Sequence, residues 1–218
     1  MGAALATEFR SPSSSNGCLS WLAQRIMSKD NGFDSIAAVS EIANSKRFTK
    51  PVIVELGPGS GFSLRTMFDK ESPLQPSRVY AIEISEVFRQ QLTEDKELAT
   101  HIESGKLSIH NDDAINLKFI PDNSVDLVFG FNVVYFLFPL DVYLKELNRI
   151  LKPGGELQFC VKEEAKYMDK QVYANTDWEA CLGKMENNGF ENVEKTEIRF
   201  KYDGPISYST LIGKKKSS

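Results

Sequence analysis

The feature that most constrains the fold is a short apolar run that leads directly into a glycine-rich segment, Val52-Ile-Val-Glu-Leu-Gly-Pro-Gly-Ser-Gly61. Its first five residues are rich in β-branched side chains and too few for a helix, which predicts a buried strand. The glycines at alternate positions, Gly57, Gly59 and Gly61, allow the backbone to turn tightly and to approach a ligand closely. A helix predicted directly afterwards would present N–H groups suited to an anionic group. The segment therefore predicts a strand, a ligand-binding turn and a helix.

Strand-like runs and helical stretches alternate along the rest of the chain. The predicted strands are Val52–Leu56, Val79–Ile84, Leu107–His110, Val125–Phe129, Leu157–Val161, Val193–Tyr202 and Ile206–Ile212. The predicted helices are Phe62–Phe68, Ser85–Leu98 and Leu140–Leu151, the last closed by a turn at Lys152-Pro-Gly-Gly155. This order is typical of an α/β fold with a mostly parallel, seven-stranded sheet and helices on both faces. The last two runs predict an antiparallel C-terminal hairpin.

The N-terminal region differs from this core. Residues 1–17 end in a stretch rich in Ser, Pro, Asn and Gly, which predicts a flexible lead-in. Apolar residues at helical spacing follow and predict two short helices with a break at Asn31-Gly32. We therefore expect one domain over residues 18–218, with a helical extension at 18–50 and an α/β core at 51–213.

Composition excludes several classes of protein. The formal net charge of −4 argues against a chain whose main task is to bind nucleic acid. Three scattered cysteines and two distant histidines supply neither a disulfide framework nor a metal-ligand spacing, so we expect no metal. The longest apolar stretch, Leu127–Leu140, is too short and too interrupted for stable membrane insertion. Because no signal peptide is recognisable, the expected location is the cytoplasm.

Acidic residues stand at the predicted ends of three strands. Glu55 precedes the glycine turn, Glu83 ends the second run 26 residues after Gly57, and Asp112 and Asp113 follow the third run. The position of Glu83 is close to the separation at which an acid reaches ribose hydroxyl groups in dinucleotide-binding folds. The glycine spacing is G-x-G-x-G, however, and differs from the G-x-G-x-x-G of dinucleotide binders and from a P-loop. The acids therefore predict a ligand site at one edge of the sheet without naming a dinucleotide.

With these segments in order, the sequence resembles the class I S-adenosylmethionine-dependent methyltransferases. Five segments, over about half of the chain, match motifs of that family: Glu55–Gly61, Ala81–Ile84, Asp112–Ala114, Ser124–Val134 and Arg149–Leu157. The resemblance implies a Rossmann-like fold, S-adenosylmethionine as the cofactor, and methyl transfer by in-line displacement with catalysis mainly by positioning.

The resemblance also implies which residues bind the cofactor. They are Glu55, Gly57, Pro58, Gly59, Gly61, Glu83, Ile84, Asp112, Asp113, Ala114, Phe131 and Asn132. The glycine turn would hold the methionine part, and Glu55 would accept a hydrogen bond from its ammonium group. Glu83 would bind the ribose hydroxyls, and Ile84 would pack on the adenine.

The same resemblance implies further cofactor-binding residues at the adenine edge and near the sulfonium. Asp113 and the backbone N–H of Ala114 would bind the adenine amino edge, while Phe131 or Asn132 would lie near the sulfonium. Asp112 stands where the family usually has glycine. The sequence therefore leaves open which of the two aspartates contacts the adenine.

Tyr135 is the candidate catalytic residue, because it follows the fourth strand, where an aromatic side chain could position an acceptor. A packing role fits the sequence equally well. The segment Asn132-Val-Val-Tyr135 has the spacing of the Asn-Pro-Pro-Tyr motif of amino-group methyltransferases but lacks both prolines. We therefore do not transfer the chemistry of that motif to this chain.

The expected methyl acceptor is a small molecule, and an apolar one would suit the aromatic content of the predicted acceptor-side cover, Leu19–Ser45 and Glu163–Trp178. The aromatic side chains concerned are Trp21, Phe33, Tyr167, Tyr173 and Trp178, which could equally form a local core. We expect no nucleic-acid partner, and either a monomer or a homodimer. The alternatives are a non-catalytic binding or scaffold protein of the same fold, a nucleotide-dependent oxidoreductase, and, less favoured, a protein or nucleic-acid methyltransferase.

Overall fold

The computed structural model describes residues 32, 35–163, 173–201 and 205–217. The predicted lead-in and the first of the two predicted N-terminal helices lie outside these residues. The second is present as helix α1, residues 35–44, with Val39, Ile42 and Ala43 buried as their spacing predicted. Gly32 is helical, so the structure does not place a break at that residue. No helix in the described ranges combines the length and apolarity needed to cross a bilayer.

The chain divides into two compact units, Met1–Asp113 and Ala114–Ser218. The first unit contains the strands β1 (Val52–Leu56), β2 (Arg78–Ile82) and β3 (Leu107–His110). Its helices after β1 are α2 (Phe62–Phe68), α3 (Glu86–Thr93) and α4 (Ala99–Glu103). Strand β2 lies between β1 and β3 and is parallel to both. The ends of β1 and β2 are thereby adjacent, as the predicted site requires.

The second unit begins with strand β4 (Val125–Phe131), a 3-10 turn at Val134–Phe136 and helix α5 (Leu140–Ile150). Strand β5 (Leu151–Lys162), helix α6 (Trp178–Asn187) and strands β6 (Phe190–Lys201) and β7 (Pro205–Lys215) follow. Strand β5 is parallel to β4, while β7 is antiparallel to both β5 and β6. The seven strands form one sheet in the order β3-β2-β1-β4-β5-β7-β6. The predicted α/β, Rossmann-like class with an antiparallel C-terminal hairpin is confirmed.

The core follows the apolar pattern of the sequence. Residues 53–56 of β1 are all at most 2% exposed, which is the continuous burial expected of a strand in a parallel sheet. On α5 the stripe Leu140, Leu144 and Leu147 is fully buried, as its spacing predicted. Residues 127–130 of β4 are buried in the same continuous manner, whereas Asp126 is half-buried.

The predicted helix Ser85–Leu98 is wrong in its extent, because the structure has two helices there. Helix α3 ends at Thr93, and α4 begins at Ala99. Between them, the Asp95 carboxylate accepts backbone N–H groups from Glu97 at 2.8 Å and Leu98 at 3.3 Å. This local capping replaces the helical hydrogen bonds that a continuous helix would form.

The turn predicted at Lys152-Pro-Gly-Gly155 lies inside the register of β5 rather than before it. Val125 pairs with Leu151 and Leu127 pairs with Glu156, so the extra residues of β5 bulge between these two pairs. A Cβ on Gly155 would lie 2.9 Å from the carbonyl oxygen of Lys152. The bulge therefore depends on glycine, and β5 begins six residues before the predicted start at Leu157.

Helix α6 was missed by the sequence reasoning, although its pattern was readable. The Asp177 side chain accepts the backbone N–H of Ala180 at 3.1 Å, which is an ordinary N-cap. Trp178, Cys181 and Met185 then recur at helical spacing and are buried.

Replacing Gly61 by alanine is expected to lower the free energy of unfolding by about 2–4 kcal/mol. Gly61 has φ 80°, and an added Cβ would lie 2.5 Å from Leu92 Cδ2. The control is Gly183→Ala in α6, where the added Cβ meets no atom within 4 Å and stability should rise by about 0.5–1 kcal/mol. Urea unfolding of both variants measures the difference. Equal stability of the two would contradict the steric reason given for Gly61.

Candidate functional site

The glycine turn after β1 uses its glycines for different purposes. Gly57 has φ 62° and donates its N–H to the carbonyl oxygen of Ile82 at 2.9 Å, which ties the end of β1 to the end of β2. Gly61 donates to the carbonyl oxygen of Pro58 at 3.0 Å and closes the turn. Gly59 has φ 56°, and no atom lies within 4 Å of where its Cβ would be. The turn therefore leaves open space beside Gly59.

Glu83 lies directly after β2 and is bound to the glycine turn. Its Oε2 accepts the N–H of Gly59 at 3.0 Å, and its Oε1 accepts the N–H of Ser85 at 2.8 Å. The side chain of Glu83 is buried, and burial raises its pKa against these two hydrogen bonds and the charge of Arg89. Because a carboxylate oxygen has two lone pairs, each of the two oxygens can accept one further hydrogen bond. The next residue, Ile84, is 45% exposed and offers an apolar surface.

Glu55 lies within β1 and is 2% exposed. The Ser63 hydroxyl of α2 donates a hydrogen bond to its Oε1. Its Oε2 is buried and has no hydrogen-bond partner among the described residues. Burial raises the pKa of Glu55 to about 8, the Ser63 hydrogen bond opposes this, and the negative charge of Glu83 adds to it. A buried oxygen without a donor is costly, so this atom is where a ligand donor would be most stabilising.

The loop after β3 carries the two aspartates in different environments. Asp112 is half-buried, with its Oδ2 3.9 Å from His110 Nδ1, whereas Asp113 is exposed. His110 Nε2 lies 3.0 Å from Ser108 Oγ, and burial lowers the His110 pKa against the opposing charge of Asp112. Ala114, the first residue of the second unit, is 6% exposed.

In the second unit, Asn132 follows β4 with a left-handed backbone, φ 53°. Its N–H donates to the carbonyl oxygen of Cys160 at 2.8 Å. Its Oδ1 accepts the N–H of Lys162 at 3.2 Å and the hydroxyl of Tyr135. The neighbouring Phe131 packs edge-on against Tyr208, with ring centroids 5.5 Å apart. Asn132 therefore joins the end of β4 to the end of β5.

Tyr135 is enclosed by protein. It is 3% exposed, and burial raises its pKa well above the usual range, with Tyr173 adding to the effect. Its ring lies 6.1 Å from that of Tyr173 and 5.3 Å from that of Phe136. Because its hydroxyl donates to Asn132 and resists ionisation, Tyr135 suits a positioning role better than that of a base.

A known family model matches the part of the chain that contains these residues. Residues 54–159 match a family model described as a methyltransferase domain, and this range contains the glycine turn, Glu83, both aspartates and Asn132. This part of the chain is therefore similar to a methyltransferase domain, and the fold matches a Rossmann-like methyltransferase fold.

One curated relative of the methyltransferase domain is a highly reducing polyketide synthase of Pyrenophora dematioidea, 29% identical over 137 residues. The match covers 59% of this chain but only 5% of that protein.

Solved structures share the fold at lower identity. A chain of the Haloferax volcanii complex that contains the Trm112 methyltransferase activator is 19% identical, with a TM-score of 0.70 over 91% of this chain and 96% of that one. A phosphoethanolamine N-methyltransferase of Haemonchus contortus is 14% identical, with a TM-score of 0.65 over 84% of this chain and 53% of that one. The [4+2]-cyclase SpnF is 18% identical, with a TM-score of 0.62 over 90% of this chain and 82% of that one.

The residues at the ends of β1 and β2 fit the cofactor of a class I methyltransferase. The unpaired oxygen of Glu55 suits an ammonium donor, and the open space at Gly59 allows a close approach to the backbone. The remaining lone pairs of Glu83 suit a pair of hydroxyl groups, and exposed Ile84 suits a flat apolar ring.

The predicted acceptor-side aromatic residues fall into two groups. Trp21, Phe33 and Tyr167 lie outside the described residues. Tyr173 packs against Phe136 at 5.5 Å between ring centroids, and Trp178 is 6% exposed at the start of α6. Tyr173 thus has local ring contacts and Trp178 is buried, and a part for either residue in lining an acceptor site stays a prediction.

Three side chains that contact the candidate site were not predicted from the sequence. Ser63 binds Glu55, Arg89 donates to the backbone oxygen of Glu83 at 2.9 Å, and Ser85 caps α3. Ser85 had a readable pattern, since serine is a common N-cap residue just before a helix. Ser63 and Arg89 act through tertiary contacts that no local pattern displays.

Replacing Asn132 by leucine is expected to lower the free energy of unfolding by about 2–4 kcal/mol. Leucine removes the acceptor of two donors, the Tyr135 hydroxyl and the Lys162 N–H, and tolerates the left-handed backbone poorly. The matched variant Asn132→Asp keeps both an acceptor and a residue that adopts this conformation, so it should lose clearly less. Tyr135→Phe removes one donor and should lose about 1 kcal/mol. Guanidinium unfolding at neutral pH measures all three, and equal losses for the two Asn132 variants would contradict the assignment.

Proposed function

We propose that this protein binds S-adenosylmethionine and transfers its methyl group to a small-molecule acceptor. The observation that carries the proposal is the pair of buried carboxyl groups at the ends of β1 and β2. Glu55 has an unpaired oxygen, and Glu83 is held against the open glycine turn. Both lie inside the range that matches the methyltransferase domain.

The methionine part of the cofactor is assigned to the glycine turn. The backbone of Gly57 and Gly59 would approach it closely, and Pro58 and Gly61 would hold the turn in shape. Glu55 would accept a hydrogen bond from its ammonium group at Oε2. The left-handed φ of all three glycines supports this assignment, because a side chain at these positions would strain the turn.

The nucleoside part is assigned to the ends of β2 and β3. Glu83 would accept hydrogen bonds from both ribose hydroxyls, and Ile84 would pack on the adenine. Asp112 or Asp113, with the N–H of Ala114, would bind the adenine amino edge. Asp112 is half-buried beside His110 and Asp113 is exposed, and the proposal keeps both aspartates as candidates for this contact.

When bound, S-adenosylmethionine supplies a methyl group on a sulfonium, which is already a good leaving group. The chain's own residues would therefore act by orientation and by exclusion of water. Phe131 and Asn132 are proposed near the sulfonium, and Tyr135 would hold Asn132 in place. A general base enters only if the acceptor arrives protonated, and no residue is assigned to that role.

The small-molecule acceptor is supported by the kind of proteins that share the domain. A polyketide synthase and a phosphoethanolamine N-methyltransferase both bear names that refer to small-molecule chemistry. A chain from a complex that contains a methyltransferase activator protein has the same fold. The competing hypothesis is therefore that this protein acts with a protein partner. We propose a cytoplasmic monomer or homodimer without a nucleic-acid partner, folded as one domain over residues 18–218.

A second function is favoured by one specific observation, the likeness to the [4+2]-cyclase SpnF. The same architecture supports different chemistry, because function resides in the site rather than in the fold. The second candidate is accordingly a protein that binds S-adenosylmethionine without transferring a methyl group.

Isothermal titration of the full chain with S-adenosylmethionine tests the cofactor. Binding is expected, and Glu83→Ala should weaken it by about 10- to 150-fold, because charge-assisted hydrogen bonds to the ribose are lost. The control is Glu86→Gln at the exposed start of α3, which should leave the affinity unchanged. Heat with NAD and none with S-adenosylmethionine would instead identify a nucleotide-dependent oxidoreductase.

Turnover with a labelled methyl donor over a metabolite library separates the two candidate functions. Formation of S-adenosylhomocysteine together with a methylated small molecule supports methyl transfer. Cofactor binding without turnover on any small molecule, protein or nucleic acid in the set would favour the non-catalytic candidate.

A further inference from the structure

Two carboxyl groups of the candidate site are buried at the ends of β1 and β2. Glu55 is 2% exposed and Glu83 is 5% exposed, and burial raises the pKa of Glu55, with the negative charge of Glu83 adding to the effect. Neither forms a salt bridge with a lysine or arginine in the described part of the chain. Ionisation of both would place two negative charges in a buried region where neither carboxylate has a salt-bridge partner among the described residues, which is unfavourable.

The arginines of α2 and α3 bind groups other than the two side-chain carboxylates. Arg65 on α2 pairs with Asp95 at 2.7 Å and stacks over the Phe62 ring. Arg89 on α3 donates to the backbone oxygen of Glu83, so its charge favours ionisation of Glu83.

The titratable groups at the end of β3 are His110, Asp112 and Asp113, and of these His110 is the one that could carry a positive charge. Its two ring nitrogens face Ser108 and Asp112. Burial lowers the pKa of His110, which keeps the ring neutral at pH 7. It therefore supplies no positive charge to the two carboxyl groups.

The two carboxyl groups differ in their donors. Glu83 accepts two backbone N–H groups, which stabilise its anion. Glu55 accepts one hydroxyl, from Ser63, and its second oxygen has no donor among the described residues. A single proton shared between these groups is therefore held by Glu55 rather than by Glu83.

We infer that Glu55 is protonated in the ligand-free protein and releases this proton when an ammonium group binds at its unpaired oxygen, so that S-adenosylmethionine binding is coupled to proton release. The inference rests on the proposed function. The O–H bond of the carboxylic acid breaks, its proton passes to the buffer, and the ligand ammonium keeps its three hydrogens. The resulting carboxylate and ammonium then neutralise each other in the buried site.

Protonation of Glu55 should make the affinity for S-adenosylmethionine depend on pH. The pKa of Glu55 in the ligand-free protein is about 8, and an ammonium partner lowers it in the complex. Affinity for S-adenosylmethionine should therefore rise with pH up to about 8, by at most about tenfold per pH unit. Because α-amino groups lose their own proton at about pH 8, proton release is measured well below that pH.

The experiment is isothermal titration of the full chain with S-adenosylmethionine at pH 6.5, in phosphate, PIPES and imidazole buffers of different ionisation enthalpy. The slope of the observed enthalpy against the buffer ionisation enthalpy counts the protons released. The wild-type chain should release about one proton, and Glu55→Gln should release close to none. The matched control Glu86→Gln should behave as the wild type.

A second probe removes the ammonium group from the ligand instead of the carboxyl group from the protein. 5′-Methylthioadenosine lacks the amino-acid part, so its binding to the wild-type chain should release close to no protons. If Glu55→Gln fails to fold, difference infrared spectra of the wild-type chain provide the same test. Addition of S-adenosylmethionine should remove a protonated carboxyl stretch, and 5′-methylthioadenosine should leave it in place.

The outcomes separate the inference from the proposed function. Binding of S-adenosylmethionine with no proton release overturns the inference and leaves the proposed function standing. Equal proton release with both ligands also overturns it, because the proton would then come from a group other than Glu55. Failure of S-adenosylmethionine to bind at all overturns the proposed function and the inference together.

Discussion

The hydrogen bond from the Gly59 N–H to the Glu83 carboxylate is the interaction on which the candidate site depends. It joins the turn after β1 to the end of β2, next to the Gly57 bond to Ile82. Parallel pairing of β1 and β2 brings these two ends to the same sheet edge, so the contact needs only a glycine at position 59 of the turn and an acid at the correct position. A glycine-rich turn and a distant acid thereby become one binding surface.

Much of this fold could be predicted because its elements obey local rules. Strands β1 and β3 and helix α2 occupy the predicted residues, since short β-branched runs and a glycine turn leave few other conformations. The predicted element boundaries were wrong where a side-chain hydrogen bond or the pairing of two strands determines the local structure. Asp95 divides the helix predicted at Ser85–Leu98, and the bulge in β5 exists only through its pairing with β4.

The site was predictable in its residue types but not in its electrostatics. Glycine spacing and acids at strand ends can be read from the sequence, whereas the number of donors around each acid cannot. Glu55 and Glu83 look equivalent in sequence, and only the fold gives two backbone donors to one and a single hydroxyl to the other. The sequence likewise leaves the role of Tyr135 open between positioning an acceptor and packing, while the structure shows that its hydroxyl donates to Asn132.

The contrast between the two acids bears on how the candidate site could distinguish the parts of one ligand. Backbone N–H donors stabilise the ionised form of a carboxyl group, so it can accept further hydrogen bonds from neutral hydroxyls without needing a cation. A buried carboxyl group without such donors gains most from a partner that brings a full positive charge. Glu83 therefore suits the neutral ribose and Glu55 suits the cationic ammonium, and exchanging their donors would exchange their preferences. For S-adenosylmethionine bound as proposed, the hydrogen-bond donors around each acid would thus determine the ligand's orientation along the sheet edge as much as the acids themselves.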